Sequence, residues 1–165
     1  MAEKNRSLVA HYIDTTPAVT ARTYKLIGYG VTSLQMAYNP QTSNETYIHE
    51  DLSHTTVDSY QPTIPVNQKV YTGDDVFTFI EAIRQAGPSI GANDLTTLVE
   101  VRLYETPNTA GTSYPATKWS VAIQIDNAPG GDGGAKAEID WTMNVLGAGV
   151  DGDFNVSTKA FTATP

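Results

Sequence analysis

Residues 118–126, KWSVAIQID, and residues 136–146, KAEIDWTMNVL, determine how this chain folds. In both stretches, apolar residues occupy every second position and polar residues fill the positions between them. A period of two is typical of a β-strand with one buried face and one solvated face. The sequence therefore predicts two long strands whose apolar faces enter the core, and these faces include Trp119 and Trp141.

The segment between these strands, NAPGGDGGAK at residues 127–136, has the composition of a turn. It predicts that the two strands form one long antiparallel hairpin. Outward from the hairpin, Val99, Val101 and Leu103 alternate with polar residues and indicate a third strand. Residues 22–38 are also strand-like, with a change of apolar parity at Gly28 and Gly30. Weaker strands are predicted near residues 7–13, 55–61 and 151–157.

Residues 75–86 predict the one clear helix, because Val76, Ile80 and Ile83 lie on one apolar stripe. Thr72 and Asp75 have the spacing of a capping box, and Gly87 followed by proline ends the helix. One helix among about seven strands predicts a mainly β, or α+β, fold. Such a fold is a sandwich or barrel with a single flanking helix.

The length of 165 residues favours a single domain over residues 1–165. We expect loosely held segments at residues 1–6 and 158–165, and a long polar loop at residues 39–60. The N-terminal residues include no apolar stretch long enough for a signal peptide or a membrane span. We therefore expect synthesis in a cytoplasm and no membrane partner.

The chain carries 18 acidic residues against ten Lys and Arg, a net charge of −8, and it has no cysteine. The absence of cysteine excludes disulfides, thiolate metal sites and a cysteine nucleophile. The negative charge disfavours ordinary nucleic-acid binding, because phosphates are repelled. It is compatible with solubility, or with a surface that lies close to DNA without binding it.

The densest polar cluster is YIHEDLSHTTVD at residues 47–58, which offers possible metal ligands: His49, Glu50, Asp51, His54 and Asp58. The five-residue spacing of the two histidines suits neither one face of a helix nor one face of a strand. A polar surface loop is therefore the better interpretation, and no metal or other cofactor is expected.

The remaining catalytic patterns are weak. GGDGGAK at residues 130–136 lacks the spacing of a phosphate loop and precedes a strand, so it is interpreted as a hairpin tip. No turn motif frames a nucleophilic serine. Glu138 and Asp140 share one strand face, which is also the geometry of an ordinary solvated face. The sequence therefore predicts no active site.

Three stretches resemble the major tail, or tail tube, proteins of siphophages. The first is GYGVTSLQMAYNPQTSNETYIHED from Gly28, where a strand ends at an Asn-Pro turn and continues into a polar loop. The second, SYQPTIPVNQKVYTGDDVFTFIEAIRQ from Ser59, leads through Gly-Asp-Asp into the helix. The third is DGDFNVSTKAFT at residues 151–162. They occur in the order expected of the family and cover over half of the chain.

The resemblance implies a structural protein of the virion tail. Its β-barrel or sandwich subunits, each with one flanking helix, would form homohexameric rings that stack into a hollow tube. Partners implied are other copies of the chain, a tape-measure protein, the tail tip and the tail terminator. DNA would be ejected through the lumen without specific binding, and assembly would take place in the cytoplasm of the bacterial host.

Two surfaces follow from this interpretation. The predicted loop at 39–60 is the candidate for ring-to-ring contact, and deleting residues 42–53 should prevent tube formation. Its candidate contact residues are Tyr47, Ile48, His49, Glu50, Asp51 and His54. The carboxylates Glu100, Glu138 and Asp140 are candidates for the wall of the lumen, where negative charge would repel DNA.

Other classes of protein stay open. A monomeric β-sandwich could bind carbohydrate or decorate a capsid, using the tyrosines Tyr38, Tyr47, Tyr60 and Tyr104. A persistent monomer in solution would favour that alternative. An acidic mimic of DNA would need carboxylates in a phosphate-like row, whereas here they are spread along the chain. An enzyme is the last alternative, for want of a site.

Overall fold

A computed structural model describes residues 3–87, 94–108 and 111–164 of the chain. Within these ranges there are nine β-strands, one α-helix and a short 3-10 helix at Arg6–Leu8. The elements are β1 (Val9–Asp14), β2 (Tyr24–Leu26), β3 (Pro40–Glu45), β4 (His54–Tyr60), β5 (Thr63–Lys69), α1 (Asp75–Ala86), β6 (Leu95–Arg102), β7 (Ser113–Gly130), β8 (Glu138–Asn155) and β9 (Ala160–Ala163). The prediction of a mainly β fold with one flanking helix is confirmed.

The main sheet is antiparallel and nearly closes into a barrel. Its strand order is β2-β1-β6-β7-β8-β5, and β9 pairs with β8 outside this path. The chain after β2 then returns to β5 through two isolated bridges, Val31 to Gln68 and Ala37 to Thr63. Closure of this kind shields sheet edges that would otherwise pair with other chains.

The β7–β8 hairpin dominates the sheet, with 18 residues in each strand. Ile123 pairs with Met143 and Ile125 with Trp141, so the apolar residues of the two alternating stretches lie side by side on one face of the hairpin, as the sequence predicts. Both strands are longer than their alternating stretches, because they continue past an irregularity in the register opposite Trp119. Trp141 is fully buried and Trp119 is partly buried.

Apolar side chains pack on both faces of the sheet. The larger cluster contains Trp141, Leu98 and the helix residues, and the smaller one contains Val99, Val101 and Phe154. Strand β6 contributes to both, because Leu98 and Val99 are neighbours that point to opposite faces. The single solvated face expected for this strand is therefore wrong, because Leu98 is fully buried on the face that also carries Glu100.

Helix α1 has the predicted limits, and Val76 and Ile80 are buried while Ile83 packs partly exposed against the larger cluster. Its N-cap is Asp74, whose carboxylate accepts from the amides of Val76 and Phe77, so the proposed capping box from Thr72 is wrong. At 12 residues, this helix is too short to cross a membrane, and the described ranges contain no helix able to do so.

Three segments differ from expectation. Residues 39–60 form the β3–β4 hairpin with a loop at 46–53 instead of one long loop, and β4 lies where a weak strand is predicted near 55–61. The C-terminal segment from Thr158 holds strand β9, whose register with β8 pairs Phe161 with Phe154. Of residues 22–38, only Tyr24–Leu26 form a named strand. Near the N-terminus, Arg6 donates to the carbonyl of Leu34, which ties this segment to the body.

Candidate assembly surfaces

The β3–β4 hairpin projects from the barrel, and we call residues 40–60 the arm. Every residue of both strands is exposed, so neither face of the hairpin is covered by the rest of the described chain. At its base, Asn39 Nδ2 donates to the carbonyl of Gln61 at 3.1 Å and to Thr63 Oγ1 at 2.9 Å. The rings of Tyr38 and Tyr60 pack edge to face beside this anchor. The base is therefore fixed to β5.

Polar pairs hold the two strands of the arm together. Thr55 Oγ1 donates to Asn44 Oδ1 at 2.8 Å, and Ser43 Oγ donates to Asp58 Oδ1 at 3.0 Å. An isolated two-stranded ribbon is marginally stable in water. A ribbon of this length without an apolar face of its own gains little from folding alone, which is consistent with a segment that completes its packing against another molecule.

The end of the arm gathers the predicted contact residues. Glu50 accepts from His54 and lies 3.5 Å from His49 Nε2, and the ring of Tyr47 packs against both imidazoles. Asp51 is exposed nearby, and Ile48 and Leu52 are 108% and 81% exposed. In the described ranges, no three His, Asp or Glu side chains are grouped so that they could hold a metal ion.

A second surface, which we call the acidic ladder, runs across the face of β5, β8 and β7 opposite Trp141. Asn67 Nδ2 bridges Glu138 at 3.0 Å and Asp140 at 2.7 Å, and Asn127 donates to Asp140 at 2.9 Å. Asp126 extends the ladder by accepting from Thr142 and Gln124, at 2.6 Å each. Neutral amides and hydroxyls thus hold three carboxylates in place. In the described part of the chain none of the three has a Lys or Arg nitrogen within 4 Å, although Lys69 is the cross-strand partner of Glu138.

Glu100 lies elsewhere. It shares the face of Leu98, on the side of the larger cluster, whereas the acidic ladder occupies the opposite face. Its carboxylate lies 3.3 Å from His11 Nε2, and this hydrogen bond holds the pKa of Glu100 below its ordinary value against the opposing effect of burial. The three candidate carboxylates therefore do not share one surface, because strand register puts Glu100 on a different sheet face from Glu138 and Asp140.

Replacing Glu100 by Gln should lower the free energy of unfolding by about 1 kcal/mol near neutral pH, because a charged hydrogen bond to His11 is weakened. A carboxyl with a lowered folded-state pKa stabilises the fold above its ordinary pKa of 4.5. That stabilisation disappears as the pH falls through the lowered value. Chemical denaturation of both proteins at several pH values measures the difference.

The control is Glu105→Gln, which breaks an exposed pair with Arg102 and should change stability by no more than about 0.5 kcal/mol. A Glu100→Gln effect that persists unchanged at pH 2 would contradict the assignment of the lowered pKa.

Neither a protein-family model nor a curated protein sequence matches the chain. Solved structures do match. The tail of an empty GTA particle, refined with C6 helical symmetry, has a TM-score of 0.59 and 14% identity, covering 98% of this chain and 100% of that chain. The PVC sheath/tube terminator of an extracellular contractile injection system, in its extended state, has a TM-score of 0.52 and 12% identity, covering 92% and 97%.

These similarities span nearly the full length of both partners, so they concern the whole fold and not one motif. At 12–14% identity they establish the architecture alone. The chain therefore has the fold of components from tail and injection assemblies, with a barrel-like sheet and one helix.

Proposed function

We propose that this chain is the structural subunit of a hollow tail tube, and that it polymerises as stacked hexameric rings through which phage DNA is ejected. The observation that carries the proposal is the arm, a 21-residue hairpin that buries no face within its own subunit. The similar GTA tail, with its C6 symmetry, supports six subunits per ring. The siphophage resemblance supports a long non-contractile tail, with tape-measure, tip and terminator proteins as partners.

The arm supplies the contact between successive rings. Tyr47, Ile48 and Leu52 offer apolar surface at its end, beside the polar group of Glu50 and the two histidines. A projecting element that meets a different patch on the next subunit makes a heterologous contact. When such a contact runs along the tube axis, it repeats without closing and gives a filament.

The acidic ladder lines the lumen. Its carboxylates Asp126, Glu138 and Asp140 are bonded to neutral donors, so this part of the wall would repel phosphate. Strands β5, β7 and β8 would then form the inner wall, with helix α1 on the side away from the channel.

Concentrating the purified protein and imaging it by negative-stain electron microscopy tests the proposal. The expected result is hollow tubes of uniform width with sixfold end views. A protein that stays monomeric at millimolar concentration, with its tyrosines available to a ligand, would instead support a binding or capsid-decoration module.

A further inference from the structure

A groove on the sheet face that carries Val99, Val101 and Phe154, which we call the basic groove, collects cations in an otherwise acidic molecule. It is lined by Arg22, Lys118 and Lys159 together with Tyr24 and Phe161, where β9 folds against β2, β6 and β7. Among the described residues that line it there is no Asp or Glu. Strand β9 builds one side of the groove, so the segment expected to be a loose tail is structural here.

The two lysines are held by aromatic rings and not by carboxylates. Lys118 Nζ lies 4.7 Å from the ring centre of Phe161, and Lys159 Nζ lies 4.9 Å from that of Tyr12. Within the described part of the chain, neither ammonium group has a carboxylate oxygen within 4 Å. Arg22, in contrast, is paired with the buried Asp14 at 2.8 Å. Two positive charges are therefore positioned and uncompensated.

The arm has the complementary composition. Residues 40–60 contain Glu45, Glu50, Asp51 and Asp58 but no Lys or Arg. Glu50 and Asp58 are engaged within the arm, whereas Glu45 accepts only a long hydrogen bond from Tyr47 at 3.4 Å. Glu45 and Asp51 are therefore the carboxylates most available to another molecule. The exposed Ile48, which lies between them, and Leu52, which follows Asp51, would contact the aromatic side of such a groove.

The basic groove and the acidic ladder lie on the same sheet face, because Lys118 and Asp126 are both even-numbered positions of β7. Eight residues of strand separate them by about 26 Å. Uncovered lysines on a lumen-facing sheet would bind passing phosphates. A carboxylate-bearing segment that covered these lysines would keep them from binding the phosphates of passing DNA.

We propose that the basic groove of one subunit binds the acidic arm of a second copy of this chain, with Lys118 and Lys159 opposite Glu45 and Asp51. The inference rests on the proposed function and names the receiving surface of the ring-to-ring contact. Arm and groove are different patches of one subunit, so the contact propagates from copy to copy.

Charge exchange tests the contact. The variant Lys118→Glu/Lys159→Glu should raise the critical concentration for tube formation at least about 100-fold, since like charges then face each other. Adding Glu45→Lys/Asp51→Lys to the same chain exchanges the two signs and should restore the critical concentration to within about threefold of the unmodified protein. Sedimentation over a concentration series gives each value.

Lys4→Glu/Lys136→Glu is the matched control, because it changes net charge equally and Lys4 also lies over a tyrosine ring. It should shift the critical concentration by less than about threefold. Circular dichroism and thermal unfolding confirm that each variant folds, and Lys118→Gln/Lys159→Gln replaces the acidic variant if that one does not.

Each negative result of these experiments would reject a different part of the proposal. Normal tubes from the Glu variant, or no restoration by the exchanged chain, would overturn the arm–groove contact while leaving the tube proposal intact. Absence of tubes from the unmodified protein would reject the tube proposal itself. Binding of labelled duplex DNA to unassembled protein, lost in the Glu variant, would identify the groove as a phosphate site and also overturn the contact.

Discussion

Replacing residues 44–55 by Asn-Gly is expected to abolish tube formation and to leave the barrel folded. Ser43 and Thr56 are direct cross-strand partners, and Asn-Gly closes a two-residue hairpin between such partners. The change removes Ile48, Leu52 and the polar cluster around Glu50 in one step. We expect isolated rings or monomers at concentrations at least about 100 times those at which the unmodified protein polymerises.

This replacement is sharper than deleting residues 42–53, which would leave β4 without its partner strand. The arm places no side chain in either core cluster, so the free energy of unfolding should change by less than about 0.5 kcal/mol. Electron microscopy measures tube assembly, and denaturant-induced unfolding measures the free energy of unfolding. Tubes of normal length from the shortened chain would remove the arm from ring stacking.

Replacing Glu138 and Asp140 by Lys is the second large expected effect, and it should make the tube retain DNA. Tubes should form as before, because the acidic ladder would face the channel. The two added cations per subunit would bind phosphates, and counterion release makes that binding strong at low salt. Co-sedimentation of labelled duplex DNA should rise at least about tenfold near 50 mM salt and disappear near 500 mM. Particles built with this variant should eject DNA slowly or not at all.

Two controls test whether retention of DNA depends on the sign of the added charge and on its position in the ladder. Glu138→Gln/Asp140→Asn removes negative charge without adding positive charge, so retention should rise far less. Asp132→Lys/Asp153→Lys adds the same charge at two exposed carboxylates outside the ladder. If that control retains DNA as strongly as the ladder variant, the assignment of the ladder to the lumen is wrong.

A helix or strand can be predicted from the sequence when one of its faces is buried, because its apolar residues then recur with a regular period. Trp141 and Met143 mark β8, and Val76 and Ile80 mark α1, because burial imposes a period on apolar residues. The arm is only partly detected: a weak strand is predicted near residues 55–61, where β4 lies, but β3 is not predicted. Both faces of β3 and β4 are exposed, and their Thr, Ser and Asn residues show no apolar alternation. Strand β9 is not predicted because four residues are too few to show a period.

The candidate surfaces depend on relations between strands that periodicity does not contain. Parity within β8 correctly puts Glu138 and Asp140 on one face, but only the register shows that Glu100 belongs to the other. Asp126 joins the ladder through Thr142, a partner 16 residues away across the hairpin. Periodicity does not reveal the basic groove for the same reason: Lys118 and Lys159 line one groove only because the chain turns back after β8 into β9.

An arm carried on one patch and received on another gives such a polymer a direction. One terminus of the tube would display unoccupied grooves and the other unengaged hairpins, so the two termini would differ in charge as well as in shape. A protein that starts growth of the tube and a protein that stops it could then each recognise its own end of the tube by the sign of the charge displayed there.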